Sequence, residues 1–139
     1  MSRVVIDASI TLSWLLPDER SDDSLEVRNE LLSAESVWVP AHWKLEVANS
    51  LWMAERRKRL DSTGVAQAVA LFSQLPVVID AETNARAAAE TLGLARQHGI
   101  SVYDAAYLEL ALRRGAALGS LDGPLRASAK KVGVSVLPP

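Results

Sequence analysis

Residues 3–9 read Arg-Val-Val-Ile-Asp-Ala-Ser, and residues 116–122 read Ala-Ala-Leu-Gly-Ser-Leu-Asp. Each is an apolar run that ends in a lone acid just ahead of a helical stretch. A run apolar at every position, rather than at alternate ones, is what a strand buried on both faces requires, and such strands belong to parallel sheets covered by helices. Ligand sites in open sheets of that kind lie at the carboxyl ends of the strands, near the point where strand order reverses. Asp7 and Asp122 are therefore placed to face one crevice.

Working outward, β-type runs alternate with helical ones along the whole chain. Strands are expected at residues 3–7, 36–39, 77–79, 116–121 and 134–137. Helices are expected from residue 8 through 16 and at 21–35, 41–59, 82–98, 103–114 and 125–132, with one more starting after Asp61 as N-cap and ending near Pro76. Gly99 and Gly115 are expected to close the helices before them. This alternation predicts a three-layer α/β/α sandwich with a mostly parallel sheet of about five strands. No repeat, low-complexity tract or Gly/Ser-rich linker interrupts it, so residues 1–139 are read as one domain.

The chain has 139 residues and no cysteine, which excludes disulfides and thiolate metal sites and fits a reducing compartment. Its start lacks the apolar stretch of a signal peptide, and no apolar run reaches a membrane span, so the expected address is the cytoplasm. With 15 basic and 17 acidic residues the net charge is −2. Bulk basicity is thus not what would hold a nucleic acid; local basic patches or bound cations would have to. Neither a P-loop nor Gly-x-Gly-x-x-Gly occurs, nor a Gly-x-Ser-x-Gly elbow, and His42 and His98 lack zinc-site spacing.

Two further acids stand in unusual surroundings. On a wheel of about 100° per residue, Trp43, Val47, Leu51 and Ala54 share one side of their helix, and Leu45, Ala48 and Trp52 widen the apolar arc to roughly 200°. Glu46 falls in the remaining stripe with His42, Asn49, Ser50, Met53 and Arg57. Asp104 opens a helix otherwise made of Ala, Leu and Tyr. Each acid alone has a plain structural account: Asp7 and Asp122 as helix caps, Asp104 within a capping box begun by Ser101, Glu46 on a solvated face. The same holds for His42, whose solvated-surface reading outweighs a role beside Glu46.

Taken together, Val4-Val-Ile-Asp-Ala-Ser9, Leu45-Glu-Val-Ala-Asn-Ser-Leu51, Ser101-Val-Tyr-Asp-Ala-Ala-Tyr-Leu108 and Leu118-Gly-Ser-Leu-Asp-Gly-Pro-Leu125 resemble, in order and spacing, the PIN-domain family and especially its VapC-type toxins. The resemblance spans essentially the whole chain. It implies an endoribonuclease in which Asp7, Glu46, Asp104 and Asp122 bind Mg²⁺ or Mn²⁺, with Ser9 and Asn49 at polar positions lining the site. Ser120 stands where many members carry Thr, a change that keeps the hydroxyl. It also implies RNA as substrate and a cognate antitoxin as partner; a homodimer is expected. Within the family, the alternatives are a ribonuclease of RNA processing without an antitoxin and a catalytically inactive interaction module.

Physical chemistry points the same way. Carboxylates about 4 Å apart repel by roughly 4 kcal/mol per pair at an effective dielectric of 20, so four together would raise one another's pKa unless a divalent cation neutralised them. A phosphoacceptor receiver domain, also α/β with acids around Mg²⁺, would need an acidic pair after its first strand and a Lys at the end of the last; here there is one Asp, and the chain ends Val136-Leu-Pro-Pro139. The basic run Arg56–Arg59 has a plain reading as a solvated helix end, although Arg57 shares the Glu46 stripe and suits an RNA backbone. Arg126, Lys130 and Lys131 are open to the same two readings. Trp38, Trp43 and Trp52 are expected in the core. Trp14 is the aromatic expected to receive a partner helix, with a place in the core as its alternative.

Overall fold

The computed structural model describes residues 2–139. Five parallel strands form one sheet in the order β3-β2-β1-β4-β5: β1 (Arg3–Ile6), β2 (Ser36–Val39), β3 (Val78–Ile79), β4 (Ala117–Gly119) and β5 (Val136–Leu137). From β1 the chain builds outward to β2 and β3, then crosses back to the other side of β1 for β4 and β5. The strand order therefore reverses between β1 and β4, where Val4, Val5 and Ile6 pair with Ala117, Leu118 and Gly119.

The outward half carries α1 (Ala8–Leu15), α2 (Asp22–Leu31), α3 (Trp43–Arg56) and α4 (Ser62–Ser73). The returning half carries α5 (Thr83–Arg86), α6 (Leu92–His98), α7 (Val102–Arg114) and α8 (Gly123–Lys131). Right-handed crossovers put these two groups on opposite faces of the sheet, giving the three-layer sandwich. Caps and stops follow the local chemistry: Asp61 accepts from the Gly64 amide, and Gly99 and Gly115 end α6 and α7 at φ 64° and 61°, where a side chain would be strained. The core centres on β1, with Val4, Val5 and Ile6 buried beside Ile10, Trp43, Leu108, Leu118 and Leu125. Among the described residues no helix is long and apolar enough to cross a membrane.

Several expectations need correction. The helix expected at 82–98 is interrupted by a π-turn over Ala87–Thr91. The extra residue lets Thr91 and Ala95 pack inward while Arg86 reaches toward Glu82, Glu90 and Glu109. β3 is not doubly buried: it is the sheet's edge, and Val78 and Ile79 are exposed. The chain after it is anchored by Asp80, fully buried, which accepts two hydrogen bonds from Arg113 of α7 at 3.0 and 2.7 Å. Burial alone would raise the Asp80 pKa; the hydrogen bonds of Arg113 and Thr83 outweigh it and hold the carboxyl below its usual range.

The apolar arc of α3 is also narrower than its sequence suggests. Trp43, Val47, Leu51 and Ala54 are buried, but Leu45, Ala48 and Trp52 face outward. α3 is an outer-layer helix that packs against α1 and α4 on one side only, and Trp52 is left beneath the Arg56 guanidinium, 5.8 Å from its ring centroid. Trp38 is half-buried, with Arg114 stacked 4.0 Å over its ring.

Trp14 is not the exposed receiver of a partner helix. It is 3% exposed, and its indole N–H donates to the Ser24 carbonyl at 2.7 Å, so that α1 and α2 close over it. Only its edge contributes to a shallow groove shared with Leu15, Arg28, Leu71, Gln74 and Leu75. An amphipathic indole is best placed where its body is dry and its single donor is satisfied, and this site offers both. Trp14→Ala is therefore expected to lower the unfolding free energy by about 3–5 kcal/mol in urea titrations; a loss below about 1 kcal/mol would remove the indole from the core.

Candidate metal-binding carboxylate site

Asp7 is the first residue past β1 and the N-cap of α1. Its Oδ1 accepts from the Ile10 amide at 3.0 Å and the Ser9 hydroxyl at 2.7 Å, and its Oδ2 accepts from the Ser120 hydroxyl at 2.5 Å. Ser120 belongs to the segment leaving β4. Its hydroxyl also accepts from the Asp122 amide at 3.0 Å, while the Ser9 hydroxyl accepts from the Leu121 amide at 2.8 Å. Two serines thus lace the carboxyl ends of β1 and β4 together. Asp122 follows as the N-cap of α8, its Oδ2 accepting from the Leu125 amide at 2.9 Å.

Glu46 and Asp104 arrive from opposite faces of the sheet. Glu46 lies in the first turn of α3, whose entry angle is fixed from α1: the Thr11 hydroxyl donates to the Asp7 carbonyl at 2.7 Å and accepts from the Trp43 indole at 3.1 Å. Asp104 lies in the first turn of α7, where its amide donates to the Ser101 side chain at 3.0 Å. The cap readings of Asp7, Asp122 and Ser101 hold geometrically. They coexist with convergence, because a cap at a strand's carboxyl end also points its acid at the crevice.

The convergence is visible in the electrostatics. Asp7, 4% exposed, has its pKa pushed up to about 6, chiefly by burial and in small part by the charge of Asp122, against the lowering effect of its three hydrogen bonds. Asp104 is raised by burial and then by the charges of Asp122 and Glu46. Tyr107, one turn after Asp104, is pushed well above the ordinary phenol range by burial and by the charges of Glu46, Asp7 and Asp104. Its ring is buried and its hydroxyl donates to Glu46 Oε1 at 2.6 Å.

Glu46 departs from the expectation that all four acids raise one another. Burial pushes its pKa up, but hydrogen bonds from His42 and Tyr107 prevail and hold it below the usual carboxylate range. His42 is accordingly no solvated bystander. Its Nε2 stands 2.9 Å from Glu46 Oε1 and 3.1 Å from the Tyr103 carbonyl; both are acceptors, so this nitrogen carries a proton. Reading the sequence alone left Tyr107 inside an apolar helix. The overlooked signal was a phenol in a run of Ala and Leu, since a buried tyrosine hydroxyl needs a partner.

Among the described residues, no three Asp, Glu or His side chains stand grouped tightly enough to hold a metal ion as placed. The donor set itself suits Mg²⁺ or Mn²⁺: four carboxylates and two serine hydroxyls, all hard oxygen. Such ions take one or two carboxylates directly and keep several waters, so a wider ring of acids fits them better than it would fit zinc.

The remaining candidates are dispersed: Arg57, eleven residues past Glu46, stands roughly 16 Å along α3 from it and is not brought to the acids. Asn49 is exposed on α3, and Arg57 caps the far end of that helix, lining a groove of ≈ 250 Å³ with Leu12, Leu16, Ser50 and Met53. Arg59 lines the same groove and is bound there by Asp18 at 2.9 Å and Glu19 at 2.7 Å. Arg126 reaches back from α8 to donate to the Ser120 carbonyl at 3.0 Å, beside the acids.

Residues 4–131 match the PIN domain family. Over 123 residues, 88% of this chain and 92% of the relative, the sequence is 29% identical to Ribonuclease VapC3 of Pyrobaculum aerophilum. Similar solved structures include PAE2754 from the same organism, with a TM-score of 0.70 and 22% identity, covering 97% of this chain and 83% of that one. FitAcB from Neisseria gonorrhoeae has a TM-score of 0.66 at 16% identity, with 96% of both chains covered. VapC20 of Mycobacterium tuberculosis, described as a Sarcin-Ricin loop cleaving toxin, has a TM-score of 0.66 at 19% identity, covering 97% and 99%. At these identities the structural likeness is one of fold.

The Asp7 shift has a testable consequence. An acid whose folded pKa exceeds its unfolded value of 3.8 adds no burial cost while both states are protonated. The cost grows as pH rises through that value and is complete above about 6, reaching roughly 3 kcal/mol. Metal-free Asp7→Asn is thus expected to match the wild type near pH 4 and to exceed it in stability by up to about 3 kcal/mol at pH 7. Urea titrations in EDTA at both pH values measure this, and a stability difference independent of pH would contradict it.

Proposed function

The chain belongs to the PIN-domain family, and from that premise we propose that it is a divalent-metal-dependent endoribonuclease acting as the toxin of a toxin–antitoxin pair. The observation that carries the reading is that Asp7 and Ser120 join the carboxyl ends of β1 and β4, with the charge of Asp122 felt at Asp7 and the charges of Asp122 and Glu46 felt at Asp104. Support for the ribonuclease reading comes from the likeness to Ribonuclease VapC3, and for the toxin role from the solved neighbour VapC20, described as a toxin.

In this reading Asp7, Glu46, Asp104 and Asp122 hold one or two Mg²⁺ or Mn²⁺ ions. Such a cation, when bound, supplies Lewis-acid stabilisation of charge on the phosphodiester and makes a water more acidic. The chain's own groups do the rest. Ser9, Ser120 and the Ile10 amide fix the Asp7 carboxylate, and Tyr107 and His42 fix Glu46. Asp104 is half-exposed with a raised pKa, and those two qualities suit it to accept a proton from water. Arg126 supplies positive charge beside the acids for the RNA backbone, which a chain of net charge −2 must provide locally, and Arg57 extends it to the far end of α3. Hydrolysis by water leaves 5′-phosphate and 3′-hydroxyl ends.

End-mapped cleavage of total RNA by the purified protein tests the proposal. Cleavage is expected with Mg²⁺ or Mn²⁺ and not in EDTA, and Asp7→Asn or Asp104→Asn should reduce it on the order of 100-fold or more. The same ions should raise the melting temperature of the wild type, and less so that of the variant carrying both Asp7→Asn and Asp104→Asn. Expression without a partner should arrest growth, and Asp7→Asn should relieve the arrest. Cleavage that persists in EDTA, or melting curves indifferent to millimolar metal, would overturn the assignment.

A further inference from the structure

We propose that Tyr107, with His42 beside it, is a positioning residue that occupies one oxygen of Glu46 and leaves Oε2 alone to face a cation. The proposal rests on the reading of the four acids as a cation site and specifies how one of them takes part. The Tyr107 hydroxyl donates to Oε1 at 2.6 Å, and His42 Nε2 approaches the same atom at 2.9 Å. The hydroxyl hydrogen bond and the adjacent imidazole nitrogen crowd that oxygen, whereas Oε2 has no hydrogen-bond partner among the described residues. Glu46 is then available only through Oε2, as a one-oxygen ligand or as an acceptor for a water on the ion.

The two donors are themselves held. The Tyr107 ring is 1% exposed on α7, a helix of 13 residues packed over β1. His42 is gripped by the Tyr103 carbonyl at 3.1 Å and stands edge-on to the Tyr107 ring at 5.2 Å. Glu46 and Tyr107 are 61 residues apart and come from opposite layers, so the bond between them closes the sandwich over the carboxyl ends of the strands. Groups that orient a ligand without touching the metal commonly contribute 10–100-fold to its affinity.

Tyr107→Phe in the full chain keeps the ring and removes only the hydroxyl. Mn²⁺ binding by calorimetry, alongside RNA turnover resolved into kcat and KM, is the test. The expected result is an affinity about 10-fold or more below wild type and a matching rise in the Mn²⁺ concentration needed for half-maximal turnover, with KM for RNA little changed. A merely structural tyrosine would lower the melting temperature and leave Mn²⁺ affinity alone. His42→Ala should weaken Mn²⁺ in the same direction, and His42→Gln, which keeps an N–H donor, should recover part of the loss. Wild-type affinity in Tyr107→Phe overturns the proposal and leaves the cation site standing; if that variant does not fold, wild-type affinity in His42→Ala does the same. Absence of Mn²⁺ binding by the wild type overturns the underlying reading instead.

Discussion

At the end of the central strand the chain buries a carboxylate, and much of the architecture is arranged around keeping it there. Asp7 has almost no contact with water, yet accepts from two serine hydroxyls and a backbone amide. Those bonds tie β1 to β4, cap α1 and fix the point where strand order reverses. Through the Asp7 carbonyl, Thr11 and Trp43, the same residue sets the entry of α3 and hence the place of Glu46. A serine at position 120 is therefore more than a tolerated change: its hydroxyl is both the donor to Asp7 and the acceptor for the Asp122 amide.

The acids around this point are differentiated rather than equivalent. Asp7 and Asp104 are lifted by burial and by neighbouring negative charge, whereas Glu46 is held down by Tyr107 and His42. Without such donors, burial and repulsion would act on Glu46 in the same upward direction. Two strands away, at the carboxyl end of β3, the fold solves a similar problem differently. Asp80, equally buried at the sheet edge, is neutralised by Arg113, which also binds Glu109 at 2.9 Å. A carboxylate with a full ionic partner serves the fold, and one left with only hydroxyl and amide donors keeps charge available for a ligand.

Reading residues in order reached the layers, the strands and the caps, because these follow from local periodicity and from the preferences of Asp, Ser and Gly at element ends. It did not reach the side of α3 that packs. Leu45 and Trp52 are as apolar as Val47 and Leu51, and only the placement of α1 and α4 decides which pair is covered. Nor did it reach Trp14, whose burial depends on α2 folding back so that Ser24 meets the indole. The exposed edge strand escaped for a like reason, since the spatial order of strands is not written in their composition.

For the site, the sequence by itself determined which acids exist, that two of them end buried strands, and that no cysteine or histidine pair competes with them as ligand. Tertiary structure alone decided that Asp7 is the most buried, that Ser120 and Ser9 hold it, and that Tyr107 and His42 converge on one oxygen of Glu46 across 61 and four positions of chain. The division has a physical cause. Identity and local conformation are set by each residue and its neighbours within a turn or a strand, whereas burial and hydrogen-bond partnership depend on groups brought from opposite faces of a sheet, and these fix the pKa and the free lone pairs of a carboxylate.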